Sequence, residues 1–436
     1  MTLVSSFVEL VQQISPAMTA PTFGSFVTLL TGWVFARRRN VTKMILAADA
    51  VAEKHHSAFH RVFATAQWSL DALGLLVFVL ILPRLGDAQM VLAVDDTLAR
   101  KRGLKVYGVG MHHDPLISSR KKAVTNWGHS WVVPGVIVKF PFPEDKFFCL
   151  PILFRLYISK QTVAKTGGVY RIRPELAVEM LQVLCGTHSD RSFHAVGDAA
   201  YGGQSVLGAL PTNCDLTSRL DLDARLYDAP PKRKPKQQGR TPQRWRKLPT
   251  PKKMLEGGTK TSTLKLYGRR DRVRMTETVG RAYAVPDRPL RIVAVNPTTG
   301  GRGPQAYYST KTDDTGKDVL TRYAMRWSLE ETNQNSKGHL GFAEPQGRTR
   351  RAVERGAPTA MLLYSLILLW FAKVGHRHYR PLHAPWCPSK AHAAFGDMLT
   401  TLRRESIREQ VSVMAPSGRG CRKLIHVLLH AVQQAA

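Results

Sequence analysis

Apolar positions recur at helical spacing through the first part of the chain, in Phe7–Ile14, Phe26–Ala36 and Val41–Ala52, punctuated by Pro16, Pro21 and Gly32. The next segment, Ala52–Leu73, carries His55, His56, His60, Arg61 and Trp68. Together they predict a helical N-terminal region over residues 1–88. Around Met90 the period changes. Met90–Val94 is a short unbroken apolar run ending in two carboxylates, Asp95 and Asp96, the pattern of a buried strand that delivers acid at its C-terminal end. Strand-like stretches follow at Leu104–Met111, Ser130–Phe140 and Pro151–Ile158. Pro174–Leu184 reads as a helix with proline at its start, and Phe193–Gly197 as a strand that ends at Asp198. This succession predicts an α/β fold with Asp96 and Asp198 at strand C-termini, where such sheets place ligands.

From Pro230 the apolar periodicity fades. Between Lys232 and Arg274 stand 16 Lys and Arg against two acids, Glu256 and Asp271. The part up to about Gly258 reads as a flexible basic loop. Strand-like stretches at Ser262–Tyr267, Arg281–Val285, Leu290–Val295 and Ala306–Ser309 then predict a basic, β-rich insertion over residues 221–314. The chain returns to helical patterning at Lys317–Lys337, Arg350–Gly375 around Pro358, and Lys390–Ser412. The predicted α/β core is therefore split, 89–220 and 315–375, and is followed by a basic helical region over 376–436. The apolar runs Gly74–Pro83 and Thr359–Phe371 fall short of the about 20 residues a membrane span needs, so both are expected in the core and no membrane is implied.

Composition narrows the class. The chain has 436 residues, 44% of them hydrophobic, which suits two or three globular domains. Its formal net charge is +31, which excludes an ordinary small-molecule enzyme with a neutral surface and points to a large polyanion, nucleic acid first. The five cysteines, at 149, 185, 214, 387 and 421, form no C-x-x-C pair and no zinc spacing, the mark of reduced thiols in a cytoplasmic protein. The N-terminus lacks the charged cluster of a signal peptide. Arg37, Arg38 and Arg39 suit either contact with phosphate or a solvated helix end.

The segment from Tyr323 to Lys337 carries the densest chemistry. On a continuous helix at about 100° per residue, Tyr323, Arg326, Glu330 and Lys337 fall within an arc of about 60°, while Glu331 lies about 100° away from Glu330. One stripe thus presents a phenol, a guanidinium, a carboxylate and an ammonium, in keeping with phosphate chemistry or with a surface helix laced by ion pairs.

The spacing Y-x2-R-x3-E-x6-K resembles the signature of bacterial insertion-sequence transposases of the DDE, RNase H-like superfamily, matched at Tyr323, Arg326, Glu330 and Lys337. Val91–Thr97 (VLAVDDT) resembles the family's first-aspartate strand, His194–Gly202 (HAVGDAAYG) its second, and Gly128–Trp131 (GHSW) a block of the subgroup with Asp-Asp-Thr at the first site. The resemblance covers roughly residues 55–375. It implies an RNase H-like catalytic core with an inserted β-rich subdomain, flanked by helical regions. It implies Asp96, Asp198 and Glu330 as catalytic, metal-holding acids for two Mg2+ ions, with Mn2+ able to substitute. Hard cations favour such oxygen ligands, and two of them serve the attacking and leaving oxygens of a phosphodiester. Tyr323, Arg326 and Lys337 are expected on DNA. Asp95 and Asp96 point to opposite faces of a strand; family members use the acid just before Thr, which selects Asp96 and leaves Asp95 as the rival.

The implied activity is that of a DNA transposase. It would bind the terminal inverted repeats of its element as a homodimer, cleave there, and join the 3′-hydroxyl ends to double-stranded target DNA. No small-molecule substrate is implied, and the expected location is the cytoplasm, at the nucleoid. The alternatives are an inactive or repurposed DNA-binding protein and an endonuclease without strand transfer. His112, His113 and Asp114 read as a turn, His129 and Trp131 as packed core, and Trp327 as core. The basic stretch Lys232–Lys253 with Trp245 suits either a DNA backbone track or a solvated loop.

Overall fold

The computed structural model describes residues 1–86, 89–119, 122–141, 146–229, 245–298, 303–381 and 392–414. Five helices open the chain: α1 (Ser5–Gln12), α2 (Ala20–Phe35), α3 (Val41–Ala47), α4 (His56–Ala64) and α5 (Leu70–Ile81). Local chemistry sets their starts. Asn40 accepts from the Lys43 amide at 3.0 Å and Ser69 from the Ala72 amide at 3.3 Å, satisfying amides that have no partner inside a helix. Gly32 allows α2 and α3 to touch, since a Cβ there would meet the Met44 carbonyl oxygen at 2.0 Å.

The sheet follows. Its strands are β1 (Met90–Arg100), β2 (Gly110–His113), β3 (Thr125–Lys139), β4 (Phe147–Pro151), β5 (Arg155–Tyr157), β6 (Phe193–Gly197) and β7 (Cys214–Leu220). Helices α6 (Lys160–Thr166) and α7 (Arg173–Thr187) lie between β5 and β6, and the single turn α8 (Gln204–Leu207) precedes β7. Next come β8 (Leu226–Tyr227), β9 (Lys247–Leu248), α9 (Pro251–Glu256), β10 (Lys260–Leu266), β11 (Arg269–Ala282), β12 (Val285–Pro297) and β13 (Gln305–Ser309). Helices α10 (Gly316–Met325), α11 (Trp327–Leu340), α12 (Arg350–Lys373) and α13 (Phe395–Met414) close the described chain.

One mixed sheet runs β2-β3-β1-β6-β7-β13-β12-β11-β8-β9, with β4 and β5 also on β3 and β10 on β11. β1 pairs antiparallel with β3 and parallel with β6, and β6 pairs parallel with β7. β13 then joins β7 antiparallel, so the strands of the basic segment extend the same sheet. Helix α10 covers their face, packing Val319, Leu320 and Tyr323 with Val273, Val293 and Tyr307.

Helix α12 is the spine of the larger core. It is the one described helix long and apolar enough to cross a membrane, and 94% of its apolar window is buried inside the fold. It packs against α1, α4, α5 and α11. Arg355 of α12 donates to the Ala66 carbonyl at 2.8 Å and stacks over Trp68 at 4.3 Å. Trp33 of α2 donates to the Leu340 carbonyl at 2.8 Å. Arg155 on β5 forks onto Asp71 of α5 at 2.7 Å and reaches Glu179 of α7, also at 2.7 Å. The N-terminal helices thus share one core with the sheet.

Several expectations shift. β1 continues past the acids to Arg100, because β3 goes on pairing with it after β6 has stopped. Asp95 and Asp96 therefore lie just past the parallel ladder but inside the antiparallel one. Residues 104–109 turn, leaving only Gly110–His113 as a strand, and β4 is an additional strand. Residues 283–284 form the tight turn between β11 and β12. The expected helix over 317–337 is two helices meeting at Arg326. Lys232–Arg244 and the tail bases Arg419, Arg422 and Lys423 lie outside the described residues, as do Cys387 and Cys421. Cys149, Cys185 and Cys214 are buried free thiols.

His194, fully buried on β6, sits 2.7 Å from the Thr217 hydroxyl of β7, and burial pushes its pKa down to about 3. The unfolded chain takes up this proton near pH 6.5, so the stability it confers is present above that value and is lost as pH falls toward the folded pKa. Melting measured from pH 7.5 down to 4.5 is expected to show His194→Gln losing stability less steeply than wild type, by about 1.4 kcal/mol per pH unit. Equal slopes would contradict the buried neutral imidazole.

Candidate active site

The site forms where β1 and β6 part. Their parallel pairing ends at Val94 opposite Gly197, which sets Asp95 as the next residue of β1 and Asp198 as the first residue after β6. Asp198 then turns the chain, its Oδ1 accepting from the Ala200 amide at 2.9 Å, while its carbonyl accepts from the Ser218 hydroxyl at 2.7 Å. Gly197 permits this tight return, because a Cβ there would lie 2.7 Å from that of Tyr201.

Arg326, at the junction of α10 and α11, reaches into this corner. Its Nη1 donates to Asp95 Oδ2 at 2.7 Å and its Nη2 to Glu330 Oε1 at 2.7 Å. One guanidinium thereby joins an acid of β1 to the acid of α11 one turn further on. Asp95 Oδ1 accepts from the Asp96 amide at 2.8 Å. Burial pushes the Asp95 pKa up to about 7; Arg326 opposes this, and the charges of Asp198 and Asp96 add to it. Burial disfavours charge on Arg326 too, but Asp95 and Glu330 more than offset it and hold its pKa above the usual arginine value.

Asp96 faces the other way, as strand alternation requires. Tyr201, three residues after Asp198, donates its hydroxyl to Asp96 Oδ1 at 3.0 Å. Arg173, in the first turn of α7, brings its Nε to 3.3 Å from Asp96 Oδ2 and donates to the Ser130 hydroxyl at 3.0 Å. The Arg173 guanidinium lies 4.3 Å over the Tyr157 ring. So Tyr201 ties Asp96 to the turn of Asp198, and Arg326 ties Asp95 to Glu330.

Exposure separates these acids. The side chains of Asp96 and Glu330 are 34% and 35% exposed, that of Asp95 18%. Glu331 points elsewhere, pairing with Lys146 at 2.9 Å. Lys337, on the last turns of α11, is partly buried, and burial lowers its pKa against the pull of Asp114 and Asp96. Tyr323 is buried, with its ring 4.5 Å from that of Tyr307 and the Arg326 guanidinium 5.6 Å above it. The break at Arg326 is the reason that the four residues of the stripe do not share one exposed face. Among the described residues, no three Asp, Glu, His or Cys side chains stand close enough to share one cation. The carboxylates themselves suit a hard divalent ion, and the positive charge beside them is now that of Arg326 and Arg173.

The other singled-out residues take defined places. Asp114 accepts from Arg100 at 2.7 Å and from Asn126 at 2.7 Å, and the Arg100 hydrogen bond holds its pKa down. His129 is buried with Nε2 2.8 Å from the Tyr107 carbonyl oxygen, edge-on to buried Trp131. Trp327, expected in the core, is 49% exposed and meets Tyr267 edge-on, because α11 restarts at this residue and turns it outward. Tyr201 and Arg173 are the additions. Tyr201 stands inside the HAVGDAAYG block, whereas no pattern around Arg173 marks it.

A protein-family model described as DDE superfamily endonuclease matches residues 15–281, a span that contains Asp95, Asp96 and Asp198 and ends before Glu330. No curated protein matches the chain.

Removing one partner of a largely buried ion pair leaves the other uncompensated. Arg326→Gln is expected to destabilise the fold by about 1–3 kcal/mol in chemical denaturation, and Asp95→Asn in the same chain to restore part of that. Strictly additive losses would contradict the coupling.

Proposed function

Since the chain belongs to the DDE superfamily endonucleases, enzymes that act on DNA, we propose that it is a transposase that cuts the ends of its own element and joins them to target DNA. The observation that carries this reading is the Arg326 bridge, which unites an acid of β1 with Glu330 of α11 next to the Asp198 turn. In this reading β3, β1, β6 and β7, with their antiparallel then parallel pairing, are an RNase H-like core. Strands β8–β13 are the insertion before the last catalytic helix.

The metal-holding acids are Asp96, Asp198 and Glu330. Exposure supports Asp96 over Asp95: both carboxylates have partners on both oxygens, but the Asp96 side chain is 34% exposed and that of Asp95 18%. Two divalent ions, Mg2+ or Mn2+, would supply an activated water and stabilise the leaving oxygen. The chain's own part is to place the acids and the phosphate. Asp95 and Arg326 fix the rotamer of Glu330, and Tyr201 fixes Asp96. The guanidinium of Arg326, at the start of the helix of Glu330, and the ammonium of Lys337, on that helix, are charged groups suited to phosphates that flank the cut. Tyr323 serves from beneath, as the platform under Arg326.

In the cleavage step, water oxygen bonds to phosphorus, the bond from phosphorus to the 3′ oxygen breaks, and that oxygen leaves as a 3′-hydroxyl once protonated. In the joining step this hydroxyl attacks a target phosphodiester, and a target 3′ oxygen leaves in its place. A homodimer on paired ends, drawing duplex from the basic surface, completes the reading.

With purified protein and a duplex carrying the element's end, Asp198→Ala and Glu330→Gln are each expected to abolish metal-dependent cleavage and keep end binding. Full activity in either would remove the assignment. Asp96→Asn is expected to lower cleavage at least a hundredfold and Asp95→Asn less; the reverse order would make Asp95 the first acid. Cleavage without joining would leave an endonuclease instead.

A further inference from the structure

Beyond the acids, a cleft of about 630 Å³ opens where three parts of the chain meet. Arg38 comes from the link between α2 and α3, Arg100 to Arg102 from the end of β1 and the loop after it, and Arg348 from the loop between α11 and α12. Its lining carries one acid, Glu344. That carboxylate is already used, accepting the Arg39 amide at 2.6 Å with the Arg39 guanidinium 3.9 Å away.

Several of the bases are structural. Lys101 donates to the Ala343 and Pro345 carbonyls at 2.7 and 2.8 Å, which secures one wall. Arg100 holds Asp114 at 2.7 Å. Arg39, next to Arg38 but outside the lining, is buried and donates to the His339 carbonyl at 2.6 Å. This leaves Arg38, Arg102 and Arg348, which are exposed and whose side chains make no ion pair among the described residues. Three unneutralised guanidiniums from distant parts of the sequence repel one another, so a cleft lined by them favours an anion with several charges.

The cleft also lies in line with the acids. Asp96 and Arg100 are four residues apart on β1, about 13 Å at 3.3 Å per residue, or about four nucleotide steps of a duplex strand. We propose that the cleft is the track for the phosphate backbone of double-stranded DNA beside the cleaved bond, with Arg38, Arg102 and Arg348 each on a phosphate. This rests on the reading of the chain as an enzyme that cuts DNA.

The test uses the full chain and a short fluorescein-labelled duplex, with affinity followed by anisotropy across a salt series. The triple variant Arg38→Gln, Arg102→Gln, Arg348→Gln is expected to bind more weakly. Its slope of log affinity against log salt should be shallower by about 0.9 for each phosphate that is no longer neutralised. The corresponding triple lysine variant should recover most of the slope, which a damaged fold would not. Lys160→Gln with Lys165→Gln, exposed positions on α6, should leave it unchanged. Wild-type slope in the triple glutamine variant overturns the proposal, as does failure of the lysine variant to recover it. Displacement of the duplex by equimolar inorganic phosphate at constant ionic strength also overturns it, since that marks a site for the free ion. A chain that cleaves while the variants keep the wild-type slope loses the track and keeps the endonuclease reading. A chain whose slope falls as stated but that never cleaves keeps the track and loses that reading.

Discussion

Arg326 is the constraint on which the site depends. Its two nitrogens bond a strand acid and a helix acid whose positions in the sequence are far apart. Without a positive group between them, Asp95 and Glu330 would repel at short range in a partly dry corner, where charges are only weakly screened. The bridge therefore holds α11 in register with β1. The break between α10 and α11 serves the same end. It lets α10 lie on the outer strands of the sheet, and it lets α11 turn its acid back toward the end of the parallel ladder.

Tyr201 and Arg173 do for Asp96 what Arg326 does for Asp95. The phenol extends the Asp198 turn to Asp96, and the guanidinium from α7 approaches from the opposite face of the sheet. The acids are thus organised from both faces at once, with cationic side chains beside the carboxylates. Arg326 and Arg173 thus offset the charge of the acids at this corner of the fold.

Much of this was legible in the sequence, for physical reasons that differ from element to element. Met90–Val94 and Phe193–Gly197 are unbroken apolar runs ending in acid, and buried parallel strands read that way. Both are strands here. Helical spacing sets Glu330 and Glu331 about 100° apart, and the two take different partners, Arg326 and Lys146. The break at Arg326 was hidden, since nothing in Tyr323–Ser328 is a helix breaker and only tertiary packing divides the segment. Arg173 was hidden as well, because a lone arginine at a helix start has no periodicity to betray it. The basic triplet at Arg37–Arg39 resolves residue by residue: Arg39 is buried on backbone carbonyls, and Arg38 lines a cleft. Net charge alone draws no such distinction.

The division of labour between few acids and many bases is the central claim, and Mn2+ binding tests it most directly. Electron paramagnetic resonance of the purified chain, titrated with Mn2+ in the absence of DNA, reports free ion as it is taken up. Wild type is expected to bind Mn2+, while Asp198→Asn and Glu330→Gln lose that uptake and retain wild-type affinity for duplex DNA. Undiminished Mn2+ uptake in both variants would contradict the account.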